Sequence, residues 1–405
     1  MAVNTHCISL NGSSQYLTAA DSASLSITGA ISSRLKVKIN SLPTTDTVVV
    51  FFAKANWDDT NRSYSFSYYN DGGTLKLSWY TNDSGGTGRY SRVTKTLTTG
   101  VWYNLCVTND TSGNVKFYVN GTQEGETQTT GGSSIKDTNA VLSIGENFYS
   151  GAPQQLLTGF IDEVEIWNIA LTSTQVSDWN TKRIVSYPNL RLSCSLDNTL
   201  TDSSGNGNTL TNVGSATFST DVSALTSEIK IEDSFLISGS QSTKLDNQYG
   251  AGGTVFITEN DGLNHKIISA RFNLLKAGTV SGNATAKLYA LSAGLPTTLL
   301  ATSDNYNVAN LTTSYQWIDF IFSGDQQYSK SPNTQYAIVV DWQNGDENNY
   351  IQLDDGSSSS GGVGLVYVKG TSSWSSSANY RTLFYVIGEY TPAVATNSTN
   401  FFLFM

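Results

Sequence analysis

Apolar and polar residues alternate along much of the first 220 residues, a period of two that is typical of β-strands with one buried face. In residues 63–68 aromatic side chains fall on one face and serines on the other. Residues 75–80 repeat the pattern, with Leu77 and Trp79 on the apolar face. The NDGG sequence at 70–73 supplies residues that tolerate positive φ, so the two segments are predicted to form a hairpin.

Two further local signals complete the prediction for this half of the chain. Residues 115–119 run into Asn120-Gly121, the strongest short hairpin signal in a sequence. The one convincing helix start lies at 172–175, where a capping-box pattern precedes Val176. The other segments are short strands separated by Gly, Asn and Asp turns, which predicts a sandwich or jelly roll.

A second group of strand-like segments follows a stretch in which the periodicity lapses and charge rises. We therefore predict a first domain at 1–222, a linker at 223–234 and a second β-sandwich at 235–390. A polar linker and a short apolar C-terminal tail occupy 391–405. The predicted fold class is all-β, with two β-sandwich (jelly-roll) domains in tandem and one short helix in the first.

Composition narrows the classes of function. The chain has 405 residues and a net charge of −10, and it has no Lys/Arg cluster, so we expect no nucleic-acid partner. Cys7, Cys106 and Cys194 are an odd number without a CxxC motif, which argues against a disulfide framework and a zinc site. Any histidine-dependent catalysis would need His6 or His265, and we interpret both as structural.

Several segments resemble one known family. Residues 159–179, GFIDEVEIWNIALTSTQVSDW, closely resemble the closing signature of laminin-G-like, concanavalin A-like lectin/glucanase jelly rolls. Residues 8–21, 101–125 and 142–146 are similar to the opening strand, the central hairpin and the strand before that signature. Residues 190–222 resemble a DSSGNGN segment that opens many relatives, and we expect it to complete the same sandwich from the other end. The resemblance implies the fold and leaves lectin, glycosidase and structural roles open.

The second domain resembles, more loosely, β-sandwich modules found beside such jelly rolls in phage and environmental bacterial proteins. The similar segments are 284–291, 301–308, 315–324 and 335–342. This resemblance implies no particular chemistry.

The resemblance also allows a test for catalysis. Catalytic members of the superfamily carry Glu-x-Asp-x-Glu on one strand, which places three carboxylates on one face. In residues 161–167 the alternation predicts Glu163 and Glu165 on one face, with Trp167 in place of a third carboxylate. Asp162 is predicted on the opposite face. We therefore expect the protein not to be an enzyme.

A metal site is the other chemistry to weigh. Residues 202–208, which begin with Asp202, place several side-chain oxygens in one turn, as hard cations prefer. They lack the further carboxylates of a strong site, so a structural Asx-type turn is the favoured interpretation and a structural calcium the alternative. No other cofactor is expected.

Two segments at predicted strand ends have the chemistry of sugar binding. Aromatic rings can stack on the apolar face of a pyranose, while amides and carboxylates bind its hydroxyls. The alternative is that these aromatics pack at the rim and the polar residues only form turns. The candidate ligand-binding residues are Trp57, Asp58, Asp59, Tyr80, Asn82, Asp83, Arg89 and Tyr90.

The C-terminal tail combines a flexible linker with large apolar side chains. Leaving such groups in water forgoes roughly 1.5–3 kcal/mol each. Docking into a neighbouring subunit explains the tail, and folding back as a last strand of the second domain is the alternative. The docking residues are Phe401, Phe402, Leu403 and Phe404.

The N-terminal residues do not have the pattern of a secretory signal, and no apolar run approaches the roughly 20 residues that cross a bilayer. We therefore expect no membrane insertion.

An extracellular composition without an export signal is typical of a phage protein made in the host cytoplasm and released by lysis. The favoured hypothesis is a non-catalytic virion surface protein, either decorating the capsid or tail or binding a receptor. Its partners would be particle subunits and a cell-surface glycan, and a homotrimer would be natural for a spike. The alternatives are a secreted bacterial adhesin, which would be extracellular, and a glycoside hydrolase.

Overall fold

The structure is a computed structural model that describes residues 4–57, 61–149, 152–238, 241–258, 265–357 and 363–390. The chain divides into two compact units, Met1–Glu228 and Ile229–Met405. Within the described residues, no helix is both long enough and apolar enough to cross a membrane. The candidate residues Asp58 and Asp59 and the whole predicted tail lie outside the described residues.

The first unit consists of short strands and one helix. The strands are β1 (Cys7–Asn11), β2 (Tyr16–Ala19), β3 (Ile31–Ile39), β4 (Val48–Ala55), β5 (Arg62–Asp71), β6 (Thr74–Asn82), β7 (Gly88–Thr94), β8 (Trp102–Asn109), β9 (Val115–Val119), β10 (Thr122–Gln128), β11 (Leu142–Ile144), β12 (Asn147–Tyr149), β13 (Ala152–Gln154), β14 (Thr158–Trp167), β15 (Lys182–Ile184), β16 (Leu190–Cys194), β17 (Thr211–Val213) and β18 (Thr217–Ser219). The helix is α1 (Ser173–Asp178).

The strands of this unit form two antiparallel sheets around one core. The first sheet has the order β10-β9-β8-β3-β14-β1-β18, with β16 paired to β14, and the second has the order β17-β2-β11-β4-β5-β6-β7. One hydrophobic cluster contains Leu35 and Leu105 from the first sheet and Phe52, Phe66 and Trp79 from the second. The predicted all-β sandwich is confirmed. Strands β17 and β18 pair with β2 and β1, so the last segment of the unit completes the sandwich that its first strands begin.

The local signals of the sequence form the predicted elements. Strands β5 and β6 pair as a hairpin whose turn places Gly72 and Gly73 at φ of 56° and 94°. Asn120 and Gly121 take φ of 50° and 80° between β9 and β10. Thr172 caps α1, and its hydroxyl accepts a hydrogen bond from the backbone N–H of Gln175.

Strand β14 departs from simple alternation. Its register with β3 shifts between Asp162 and Glu165, and Glu163 takes a φ of +49°. Such an extra residue is a β-bulge, which changes the faces of the side chains after it. Asp162 pairs with Lys36, on the outward face, and the prediction that it lies opposite the two glutamates is therefore wrong. Val164 and Ile166 still enter the core.

Two of the three outward carboxylates of β14 are paired with arginines, and all three are buried. Glu165 accepts two hydrogen bonds from Arg34, at 2.7 Å from Nε and 2.6 Å from Nη2. Arg34 also donates to the backbone carbonyls of Trp179 and Lys182. Glu163 accepts from Nε and Nη2 of Arg183 at 2.8 and 2.7 Å. These pairs join β14 to β3, to the end of α1 and to β15.

In the residues of the second unit that the structure describes, the elements are β-strands and two single turns of 3₁₀ helix. Its strands are β19 (Ser227–Phe235), β20 (Gln241–Leu245), β21 (Tyr249–Ile257), β22 (His265–Ala277), β23 (Asn283–Ser292), β24 (Leu295–Thr302), β25 (Tyr306–Asn307), β26 (Gln316–Ile321), β27 (Tyr328–Ser329), β28 (Gln335–Asp341), β29 (Tyr350–Ser357), β30 (Gly364–Val368), β31 (Ser373–Ser377), β32 (Tyr380–Thr382) and β33 (Phe384–Tyr390). The 3₁₀ turns are Val308–Asn310 and Gly324–Gln326.

These strands form a second sandwich, as predicted. One sheet has the order β19-β33-β22-β29-β20 and the other the order β24-β23-β28-β21-β30-β31. The division between the units falls inside the predicted linker 223–234, but most of that segment is strand β19. Some of the charged residues that suggested a linker are inside the unit. The side chain of Glu232 is fully buried beside His265 and lies 3.0 Å from Nζ of Lys330.

The three cysteines are free, and all are buried. Burial raises the pKa of Cys7 and of Cys106 to about 12 and also raises that of Cys194. The thiols are therefore protonated at neutral pH, a state with little nucleophilic reactivity.

The pair between Arg34 and Glu165 gives a test of this arrangement. Arg34→Ala would leave a buried carboxylate without its counter-charge, and we expect the free energy of unfolding to fall by about 3–5 kcal/mol. Urea denaturation of the full chain, followed by tryptophan fluorescence, measures the change. Arg89→Ala is the control, because the Arg89 side chain is 45% exposed in its pair with Asp83, and such pairs contribute about 1 kcal/mol or less. Equal losses in the two variants would contradict the assignment.

Candidate functional site

A pocket of about 300 Å³ lies on the outward face of the second sheet of the first unit. Alternation along β5 and β6 sends Phe66 and Trp79 into the core and small polar residues outward. Ser65, Ser67 and Ser78 thus line the pocket beside Val50 of β4. Because serine side chains are short, they leave space for the pocket above them, and their hydroxyls make its base polar.

Three aromatic rings form one wall of this pocket. Trp57 follows β4, while Tyr80 and Tyr90 face each other directly across the β6–β7 pair. The centroid of the Trp57 ring is 4.5 Å from that of Tyr80 and 6.4 Å from that of Tyr90. The two tyrosine rings are 5.0 Å apart. Tyr80 is only 4% exposed, whereas Tyr90 is 46% exposed and presents its ring to solvent.

Two arginines lie over these rings. The guanidinium of Arg92 is 4.9 Å from the centroid of Tyr90 and 4.5 Å from that of Tyr69, both of which line the pocket. Arg92 Nε donates to the hydroxyl of Ser78 at 3.4 Å. The guanidinium of Arg62 is 5.4 Å from the Trp57 ring. The arginines hold the rings by cation–π contacts and add donors at the pocket.

The pocket also contains polar groups that lack an internal partner. Within the described residues, the buried Nε1 of Trp57 and Oδ1 of Asn147 make no hydrogen bond. Asn147 Nδ2 donates to the side chain of Gln155 at 3.2 Å, and both residues line the pocket. Buried donors and acceptors are normally satisfied. A bound polar ligand would supply the missing partners.

The structure brings together part of the predicted site. Of the predicted residues, Trp57, Tyr80 and Tyr90 line the pocket. Asp83 instead accepts from the backbone N–H of Thr87 and from Arg89, and these bonds close the β6–β7 turn. The pKa of Asp83 is lowered, mainly by the Thr87 hydrogen bond. Arg89 and the buried Asn82 are likewise outside the described lining, and Asp58 and Asp59 lie outside the described residues.

Sequence reasoning missed several residues of the lining. Tyr69 is on β5 and Arg92 is on β7. Their side chains come into contact only because β5, β6 and β7 pair in this order, which the sequence does not specify. Asn147 and Gln155 come from β12 and from the residue after β13, about 90 residues away in sequence from Trp57. The outward serines were visible in the alternation, and a row of small polar residues between aromatics is the signal that could have located the pocket.

A buried acid lies next to the pocket residue Asn147 in the chain. Glu146 is fully buried, and within the described residues neither of its carboxyl oxygens has a hydrogen-bond partner. Burial raises the pKa of Glu146 to about 8, so the carboxyl is mostly protonated at neutral pH. Sequence alone gave no sign of this, because burial of a single glutamate depends on the packing around it.

The turn at Asp202 has the structural form that was favoured. Oδ1 of Asp202 accepts from the backbone N–H groups of Ser193 and Ser204, and Oδ2 accepts from the backbone N–H of Asn208. These bonds are those of an Asx-type turn. In the parts of the chain that the structure describes, no group of three or more His, Cys, Asp or Glu residues could hold a metal ion.

Comparison with protein families finds one family that matches most of the first unit. Residues 11–177 match the family described as the concanavalin A-like lectin/glucanases superfamily. The resemblance predicted from the motifs at 159–179 is confirmed for this unit. A search of the curated proteins gave no match to the chain.

The solved structures that are similar to the chain include a putative carbohydrate binding protein, a pentraxin and a CBM40. A putative carbohydrate binding protein from Bacteroides ovatus is 16% identical, with 56% of this chain and 62% of that chain covered and a TM-score of 0.42. A native heptameric SAP-like pentraxin from Limulus polyphemus is 18% identical, covering 44% and 83%, with a TM-score of 0.35. The CBM40 of a Ruminococcus gnavus IT-sialidase, bound to α2,3 sialyllactose, is 12% identical, covering 43% and 96%, with a TM-score of 0.34.

The buried acid next to the pocket predicts a specific pH dependence. Because the folded-state pKa of Glu146 is about 8 against an ordinary value of 4.5, the folded protein keeps a proton that the unfolded chain releases between these values. The contribution of Glu146 to the free energy of unfolding therefore falls as pH rises from about 4.5 to 8. Glu146→Gln removes this contribution, so its stability relative to the wild type should be higher at pH 8 than at pH 5.

Urea denaturation at the two pH values measures this difference. Glu126→Gln, at an exposed position on β10, is the matched control and should follow the wild type. If Glu146→Gln has the same pH dependence as the wild type, the raised pKa is contradicted.

Proposed function

We propose that this protein binds carbohydrate without cleaving it, and the match of residues 11–177 to the concanavalin A-like lectin/glucanases superfamily supports the proposal. The proposed site is the pocket walled by Trp57, Tyr80 and Tyr90, which takes one sugar residue. The observation that carries the proposal is the cluster of three rings within 4.5–6.4 Å of one another above a serine base. The pocket volume of about 300 Å³ is at the lower end of ligand pockets.

The chemistry of the lining matches the two faces of a pyranose. The exposed ring of Tyr90 and the adjacent ring of Trp57 offer apolar surfaces for the C–H face of the sugar. Serine hydroxyls, the unpartnered Trp57 Nε1 and the Asn147 amide oxygen offer donors and acceptors for sugar hydroxyls. The guanidinium of Arg92, 4.9 Å from the Tyr90 ring centroid, adds a cationic donor and favours a glycan that carries a carboxylate.

The charges of β14 support binding without cleavage. A glycosidase uses two carboxyl groups that flank the scissile bond. Glu163 and Glu165 are instead buried against arginines, and neither lines the pocket. The described lining of the pocket contains no carboxylate at all.

Removal of one stacking ring tests the proposed site. A glycan array with the full chain first identifies a bound sugar. Trp57→Ala should then weaken its binding by about tenfold or more, equivalent to about 1.4 kcal/mol, because the apolar face of the sugar loses its platform. Isothermal titration calorimetry measures the affinity. Tyr149→Ala, which removes a 55% exposed aromatic ring of the first unit that is outside the described lining of the pocket, is the control and should bind as the wild type.

Two results would contradict the proposal. The first is a glycan that binds Trp57→Ala as tightly as the wild type, or an array without any bound glycan. The second is release of reducing sugar from a polysaccharide that is lost in Glu163→Gln or Glu165→Gln, since this would make the protein an enzyme.

The proposed setting is the surface of a virion, where the tail at 391–405 docks on a particle subunit. Three free, buried thiols support a chain that folds in a reducing cytoplasm and needs no disulfide. Deletion of 400–405 should abolish incorporation into the particle, because it removes the apolar side chains that would dock, while both units keep their thermal unfolding transitions. Sedimentation of particles with the tagged chain measures incorporation, and unchanged incorporation would contradict docking.

A further inference from the structure

The second unit has a pocket of its own, with a volume of about 340 Å³. It is lined by residues of β20, β21, β29, β30 and β32, and so by both sheets of the sandwich. Its lining contains the amide side chains of Gln241 and Gln248, the hydroxyls of Ser242 and Thr243, and the carboxyl groups of Asp246 and Asp355. A pocket of this size that is rich in hydrogen-bonding side chains fits a ligand the size of a sugar residue.

The base of this pocket contains a buried carboxyl that is only half satisfied. Asp355 is 1% exposed, and its Oδ2 accepts a hydrogen bond from Thr243 Oγ1 at 2.6 Å. Its Oδ1 is buried and has no hydrogen-bond partner within the described residues. Burial raises the pKa of Asp355 to about 6, which leaves the carboxyl mostly ionised at neutral pH.

The buried charge of Asp355 also has no counter-charge among the described residues. The cation in the pocket lining is Lys244, whose Nζ lies 4.4 Å from the centroid of the Tyr350 ring. The neighbouring segments 239–240 and 358–362 contain only Gly and Ser. A buried carboxylate is costly unless it is paired, and a cation from outside the chain would pair it.

Two tyrosines complete the pocket. Tyr380 is on β32, and its ring lies directly on the backbone of β30, since a Cβ at Gly364 would be 2.1 Å from its Cε2. Burial, together with the nearby Asp355 carboxylate, raises the pKa of Tyr380 to about 12. Tyr249 lines the pocket from β21. Aromatic rings beside a carboxylate form a favourable environment for an ammonium group.

We propose that the second unit binds an amino sugar with a free ammonium group, which pairs with Asp355 at the base of this pocket. Tyr249 and Tyr380 flank the ring of the sugar, and the side chains of Gln241, Gln248 and Ser242 bind its hydroxyls. This site is independent of the pocket in the first unit, and it differs in requiring a positive charge on the ligand.

Titration calorimetry of the full chain with glucosamine, glucose and N-acetylglucosamine tests the proposal. Glucosamine should bind at least about tenfold more tightly than the two neutral sugars, because they leave the Asp355 charge unpaired. Asp355→Asn should weaken glucosamine binding by a similar factor, while its amide oxygen still accepts from Thr243. Asp354→Asn is the matched control on the same strand, since Asp354 is bonded to Ser238 and Asn273 and does not line the pocket.

The comparison of charged and neutral sugars needs only the wild type, so it decides the question even if Asp355→Asn does not fold. Equal binding of glucose and glucosamine would overturn the proposal, and so would the lack of saturable glucosamine binding. Glucosamine binding that is unchanged in a folded Asp355→Asn protein would overturn it as well. Loss of binding in Asp355→Asn together with preference for glucosamine supports it, whatever the first unit binds.

Discussion

The bulge at Glu163 determines where charge lies in the first unit. One extra residue in β14 lets Ile161, Val164 and Ile166 all reach the core, although their spacing is three and then two. The same bulge turns Asp162 outward with Glu163 and Glu165, so that three carboxylates occupy a layer with almost no solvent. Carboxylates in such a layer require counter-charges, because their desolvation costs several kcal/mol each.

Arg34 and Arg183 supply the counter-charges of Glu165 and Glu163, and they also fix the surrounding chain. Arg34 reaches from β3 to Glu165 and then to two backbone carbonyls after α1. Arg183 joins Glu163 to Glu228 and lies close to Asn4, which in turn donates to Asp162. The helix end, β15 and the N-terminal residues are thus held by charge on one side of the sheet. The outward face of the opposite sheet carries the pocket, whose described lining has no carboxylate.

The features that could be predicted from sequence are those with a local cause. The hairpin at Gly72 and Gly73, the turn at Asn120 and the cap at Thr172 each depend on residues within a few positions. The bulge was missed because the Glu163 carboxylate is paired with Arg183, which is 20 residues away in sequence, although the Glu163 N–H also donates to the neighbouring Asp162. Burial of Glu146 and Asp355 was missed because it depends on how segments that are distant in sequence pack around each carboxyl. At the candidate site the aromatic wall was predictable from residue type, whereas Arg92 and the strands that carry Asn147 and Gln155 were not.

The two pockets share tyrosine walls but have different bases. Three serine hydroxyls form the base of the first, while the lining of the second contains the carboxyl of Asp246 and the buried carboxyl of Asp355. Hydroxyls accept and donate with little cost in desolvation, whereas a buried carboxylate selects strongly against a ligand that leaves it unpaired. The chain therefore has one pocket whose base would accept ligands of different charge and a second pocket whose buried carboxyl would favour a cationic ligand.

The positions of the three thiols allow the opening of strands in the first unit to be followed by chemical labelling. Cys7, Cys106 and Cys194 are all in that unit, and the second unit contains no cysteine. A thiol that is buried and protonated can react with a labelling reagent only while the surrounding strands are open. Cys7 is the first residue of β1, whereas Cys106 is on β8, inside the first sheet between β9 and β3. The order in which these sulfur atoms become modified therefore records which strands separate first, without any change to the sequence.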